Sequence, residues 1–189
     1  MNDMFSNPKP KALRQHQVRA IDQIKYLLGK GLRRVVCQMP TGAGKTLTAA
    51  KIIESALSKG NSVIFTAPAI SLIDQTVQAF EDEGITGIGV MQANHPRTDP
   101  MARVQVASVQ TLARREIPQA ALVIVDEVHI RSAAIEQLIS DRPDVFFIGL
   151  SATPWAKGMG VLWQDLVIPC TIGDLINGGY LSKFVVYAP

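Results

Sequence analysis

The chain has 189 residues, 47% of them apolar and 19% charged, with a formal net charge of +3. At roughly 100–200 residues per domain this is one domain, long enough to bury a core without disulfides. The composition excludes a disordered chain and a cysteine-stapled one, because apolar surface is ample and Cys37 and Cys170 are the only cysteines.

Residues 1–12 read as a polar, proline-containing lead-in. Leu13, Val18, Ile21, Ile24, Leu27 and Leu28 then fall at helical spacing, and Gly29 and Gly31 stop the helix. A strand over Arg33–Gln38 leads to a helix over Lys45–Ser58. A strand over Ser62–Ala67, a helix over Ile70–Glu83 and a weaker strand over Thr86–Met91 follow. After a polar loop come a strand over Arg103–Ser108, a short helix over Val109–Arg115 and a continuously apolar strand over Ala121–Val125. A helix over Ser132–Ile139 and a strand over Val145–Leu150 complete the series. Short apolar strands between amphipathic helices predict an α/β fold, a mostly parallel sheet covered on both faces. Ligands in such sheets bind beyond the carboxyl ends of the strands.

Charge is uneven. Residues 1–34 carry eight basic and two acidic residues, net +6, and the remainder is net −3. A basic segment of this kind attracts phosphates or forms a solvated helix face. No apolar stretch approaches the ~18–20 residues of a spanning helix. MNDMFSNPKPK lacks the apolar run of a secretory leader. With the distant cysteine pair, this predicts a cytoplasmic or DNA-associated protein with no membrane partner.

MPTGAGKT (Met39–Thr46) follows a strand and opens a helix. Glycines let several backbone N–H groups converge on one anion, and the helix adds its positive end. Lys45 would reach the outer phosphates of a nucleoside triphosphate, and the Thr46 hydroxyl would ligate Mg²⁺. The generic pattern has glycine where this chain has Met39. In ALVIVDEVH, Asp126 and Glu127 sit at the tip of a buried strand. A strand-end Asp suits a water-bridged Mg²⁺, and an adjacent Glu suits activation of the attacking water. His129 lies two residues on and could hydrogen-bond across the site. His95 and His16 have no metal-ligand spacing and are expected on the surface. Cys37 is expected in the core, and Trp155 is expected to pack rather than to stack a base.

LRQHQ (13–17), MPTGAGKT (39–46), TAPAISLIDQ (66–75), ASVQTL (107–112), DEVH (126–129) and SATP (151–154) occur in one order. Together they resemble the ordered motifs of superfamily 2 DEXH-type helicases. DEVH, and SATP followed by tryptophan, are most similar to the DNA-directed branch: type III restriction subunits, phage repair helicases and XPB-like translocases. The resemblance implies a three-layer RecA-like P-loop domain over residues 13–169. It implies that residues 170–189 lead towards a second RecA-like domain that this chain does not contain.

The resemblance also implies roles. Arg14 and Gln17 would contact adenine or stabilise the nucleotide from outside the phosphate loop. Pro40, Thr41, Gly42, Ala43, Gly44, Lys45 and Thr46 would cradle its phosphates, and Thr46 and Asp126 would hold Mg²⁺. Lys45, Asp126, Glu127 and His129 would be catalytic. Pro68, Ser71, Gln75, Ser108, Gln110 and Thr111 would contact nucleic-acid backbone, and Leu72 begins the same helix. Arg97, Arg103, Arg114 and Arg115 would add positive charge or simply be solvated. Ser151 and Thr153 would couple the two sites. The function implied is the N-terminal motor domain of an ATP-dependent DNA helicase or translocase, poorly active without its second domain. Alternatives are an RNA-directed helicase and a stand-alone nucleotide-sensing, nucleic-acid-binding module without turnover.

Overall fold

The computed structural model describes residues 11–92 and 94–183, so the first part of the lead-in and the last part of the C-terminal segment lie outside the described residues. Seven strands form one sheet in the order β3-β4-β2-β5-β6-β1-β7. They are β1 (Arg34–Gln38), β2 (Val63–Ala67), β3 (Ile88–Met91), β4 (Val104–Ser108), β5 (Leu122–Val125), β6 (Phe146–Ser151) and β7 (Asp165–Val167). Every pairing is parallel. The sheet is thus wholly rather than mostly parallel. β7 escaped sequence reading because three residues are too few to show a period.

The helices are α1 (Gln15–Gly29), α2 (Lys45–Ser58), α3 (Ile73–Asp82), α4 (Val109–Leu112), α5 (Ala133–Asp141), α6 (Met159–Leu162) and α7 (Ile172–Asn177). The helix expected over Ile70–Glu83 divides, with Ile70–Leu72 a separate 3-10 turn whose residues are all outside the core. Burial begins at Ile73 and recurs at Val77 and Phe80, one face of α3. α4 is shorter than expected, since Ala113, Arg114 and Arg115 are exposed and give it no further apolar face.

Strand residues alternate between two cores. Val35, Cys37, Phe65, Ile124 and Ile148 join Ile24, Ile53, Phe80 and Leu175 from α1, α2, α3 and α7. Val36, Ile64, Val123 and Phe147 join Leu112, Ile135, Leu138 and Trp163 on the opposite face. Cys37 is buried as expected, and burial pushes its thiol up to about 12, so it stays protonated and inert. Among the described residues no helix is long and apolar enough to cross a membrane.

Candidate functional site

The order β5-β6-β1 sets three strand ends side by side. Their loops carry Asp126–His129, Ser151–Thr153 and Met39–Thr46. Met39 N–H donates to Ser151 O at 2.8 Å, which locks two of these loops together. Met39 is fully buried in the core. A glycine there would leave a void, which accounts for the departure from the generic pattern.

Gly42 (φ +81) and Gly44 (φ +85) take the left-handed turns that bring the loop into α2. A Cβ on Gly44 would lie 2.3 Å from Gln17 Nε2. α1 grips this loop. His16 Nε2–H donates to Ala43 O at 2.9 Å, and Gln17 Nε2 donates to Ala43 O and Gly44 O at 3.3 and 3.1 Å. Gln17 Oε1 accepts from Arg14 N–H at 2.8 Å. Both ends of the Gln17 amide are therefore engaged by protein.

His16 is not on the surface as expected, but 3% exposed. The signal was present: His16, Ala20 and Ile24 recur at four-residue spacing on the buried face of α1. Arg14, Gln17, Gly42, Gly44 and Thr46 line a cleft with Lys11, Asp82 and Glu83, and its volume is about 410 Å³. Pro40 and Ala43 are buried supports of the loop, while Thr41 and Thr46 are exposed on it. The first N–H groups of α2 have no acceptor within the helix.

A polar chain crosses the three loops. Lys45 Nζ lies 3.2 Å from Glu127 Oε1, and Glu127 Oε2 lies 3.4 Å from His129 Nδ1. His129 Nδ1 is 2.8 Å from Ser151 Oγ, which also accepts from Thr153 N–H at 3.0 Å. Glu127 has φ +46, a conformation costly for a non-glycine residue. The Glu127 N–H bond to Asp126 Oδ1 at 3.0 Å and the Val128 N–H bond to Leu150 O at 3.0 Å hold it. Strain held in this way is characteristic of working sites.

Burial, and next the neighbouring Glu127 charge, hold the Asp126 carboxyl above the usual carboxylate range; the Glu127 backbone N–H, Lys45 and His129 oppose them. Asp126 and Glu127 are adjacent and partly desolvated, a setting that favours a bound cation. Among the described residues no group of three His, Cys, Asp or Glu side chains could cage a metal. The donor set of Thr46 hydroxyl and Asp126 carboxylate instead suits an ion that keeps waters and phosphate ligands, as Mg²⁺ does.

The residues expected to meet nucleic acid divide. Pro68, Ser71 and Gln75 lie after β2, with Ser71 and Gln75 exposed. Gln110 Nε2 donates to Pro68 O at 3.4 Å and ties the β2 and β4 loops together. Ser108 is fully buried. Its hydroxyl caps α4, accepting from Thr111 N–H at 3.2 Å and meeting Thr111 Oγ1 at 2.9 Å. Arg97 is paired with Glu81, and Arg103 donates to Leu57 O and Asn61 O at 3.0 Å. Arg114 and Arg115 remain exposed. His95, also expected on the surface, is largely covered and bonds Asp74 at 3.0 Å. Trp155 does not pack as expected: it is 69% exposed, while Trp163 fills the core at 5%.

Residues 10–156 match the family model described as type III restriction enzyme, res subunit. The type I restriction enzyme EcoAI endonuclease subunit of Escherichia coli is 29% identical over 203 residues, covering 97% of this chain and 25% of that protein. The chain thus spans about a quarter of the length of this relative. Among solved structures, the UvsW helicase of bacteriophage T4 superposes with a TM-score of 0.72 at 21% identity, covering 87% of this chain and 63% of that one. The type ISP restriction-modification enzyme LlaGI, solved with a DNA substrate mimic, gives 0.68 at 19% identity, covering 90% and 21%. Both likenesses concern the fold. With the ordered loops on one sheet edge and a family match over most of its length, the chain belongs to the type III restriction enzyme res-subunit family.

Proposed function

We propose that this domain binds ATP with Mg²⁺ and hydrolyses it to move a longer protein along DNA. The observation that carries the reading is the unbroken chain from Lys45 through Glu127 and His129 to Ser151. In this mechanism the N–H groups opening α2 take the phosphates, and Lys45 exchanges its Glu127 partner for the terminal phosphate. Mg²⁺ held by Thr46 and Asp126 would neutralise charge on the phosphate oxygens. Glu127, released from Lys45, accepts a proton from the attacking water. His129 and Ser151 carry the change in Glu127 to Thr153 and the loop beyond. Gln17 serves the nucleotide by shaping the loop through its carbonyls, and Arg14 is the side chain left to meet the base.

Nucleic acid lies across the ends of β2 and β4, over Pro68, Ser71, Gln75, Gln110 and Thr111. Hydroxyls and amides there engage phosphates without reading sequence. Ser108 acts from beneath as the cap of α4. DNA rather than RNA is favoured because LlaGI was solved with a DNA substrate mimic. A second RecA-like domain of the longer protein would supply the transition-state arginines, each worth about 10³–10⁵ in rate. The test is ATPase activity of the full-length protein with single-stranded, duplex and branched DNA and with RNA. Stimulation by DNA above RNA is the expected result; equal rates without nucleic acid overturn the motor reading.

A further inference from the structure

α7 ends at Asn177 and is capped by Gly178, and Gly179 (φ +71) turns the chain back. Tyr180 N–H and Leu181 N–H then both donate to Leu175 O, at 2.8 and 3.1 Å. This turn sets two side chains on the glycine loop and its grips. The Arg14 guanidinium carbon lies 4.6 Å from the Tyr180 ring centroid, and the His16 ring meets the same ring edge-on at 5.5 Å. Arg14 Nη1 in turn donates to Gly42 O at 3.4 Å, and His16 holds Ala43 O. Leu181 Cδ2 lies 2.8 Å from where a Cβ on Gly42 would stand. One ring therefore backs two of the side chains that hold the loop carbonyls, Arg14 and His16 but not Gln17, and the next residue covers the loop itself.

We propose that Tyr180 and Leu181 are positioning residues of the nucleotide site. Seated on Arg14, His16 and Gly42, the 178–181 turn keeps the loop in its anion-binding shape. It also links filling of the loop to the chain that runs on from α7. The proposal rests on the ATP reading above. Coupling between two sites is reciprocal, so if the turn strengthens nucleotide binding, nucleotide must tighten the turn.

Calorimetric titration of ATP into the 189-residue chain tests this. Tyr180→Phe keeps the ring and is expected to retain affinity within about twofold, whereas Tyr180→Ala and Leu181→Ala weaken it about three- to tenfold, the scale of a lost cation–π or apolar contact. Hydrogen exchange supplies a readout that needs no variant at the turn. ATP is expected to slow exchange of the Tyr180 and Leu181 amides in the wild-type chain and not in Lys45→Ala. Wild-type affinity in both alanine variants, or exchange indifferent to bound ATP, overturns the positioning role and leaves the nucleotide site standing. A wild-type chain that binds no ATP overturns both.

Discussion

The Lys45 ammonium nitrogen lies 3.2 Å from a Glu127 carboxylate oxygen, with the side chains only 16% and 28% exposed. In the proposed mechanism one is the cation for a terminal phosphate, and the other is the base for an attacking water. Their substitutions therefore separate binding from chemistry. Lys45→Ala removes the cation and leaves Asp126 and Glu127 unopposed, so ATP affinity is expected to fall at least about tenfold. Glu127→Gln keeps shape and hydrogen bonding but cannot take a proton. It is expected to retain ATP while hydrolysis drops about 10²–10⁴-fold. Nucleotide titration beside phosphate release with DNA present reads both; hydrolysis surviving Glu127→Gln assigns the base elsewhere.

Asp126 supplies a pH signature. Its pKa is raised by burial and by Glu127. A raised folded-state value means that the proton stabilises the fold. That contribution is complete at acid pH, below the ordinary carboxylate range, and is lost as pH rises through the raised value. Above that value the charged Asp126 therefore destabilises the domain. Asp126→Asn keeps the Oδ1 acceptor for Glu127 N–H and removes the charge. Thermal unfolding at a pH above the raised value is expected to shift to higher temperature. The gain should vanish at low pH, and Mg²⁺-dependent nucleotide binding should be lost. A lower melting temperature above the raised value would contradict the assignment.

The α/β alternation and the three neighbouring loops were legible because buried parallel strands are continuous apolar runs and glycine-lysine loops are chemically distinctive. Lys45 could be placed at the start of a helix, and Asp126, Glu127 and His129 beyond a strand end, for the same reasons. Other features were hidden by range. That Ser108 caps α4 and that Gln17 spends both amide ends on protein depend on which partners arrive. Tyr180 meets Arg14 from the far end of the chain, and no local pattern announces it. His16 was a misjudgement of phase: its charged neighbours masked a buried helical face. Trp155 and Trp163 could not be told apart by residue type alone.

Gly44 and Gly60 offer a matched comparison. Both have positive φ, +85 and +82. A Cβ on Gly60 would meet nothing within 4 Å, whereas one on Gly44 would strike Gln17 Nε2 at 2.3 Å. Gly60→Ala is expected to cost about 1–2 kcal/mol, the backbone penalty of the left-handed conformation alone. Gly44→Ala adds displacement of Gln17 and, through it, of the Ala43 and Gly44 carbonyls. Denaturant unfolding should show the larger loss for Gly44→Ala, and ATP affinity should fall for that variant only. Equal costs would mean that Gln17 yields freely and does not shape the loop.

Trp155 and Trp163 invite the opposite contrast. Trp163 is 5% exposed within the core that covers Val36 and Phe147, and Trp163→Ala is expected to cost about 3–5 kcal/mol. Trp155 is 69% exposed just beyond Thr153, so Trp155→Ala should leave stability within about 0.5 kcal/mol. A large aromatic side chain left in water next to the Ser151–Thr153 loop has surface to offer a base. Stacking on an aromatic is worth about 1–3 kcal/mol per base, so Trp155→Ala should weaken single-stranded DNA binding by about fivefold or more. Fluorescence anisotropy with a short labelled oligonucleotide reads this directly. Because the fold is expected to be untouched, a loss of affinity belongs to the contact itself, and unchanged affinity removes Trp155 from the nucleic-acid surface.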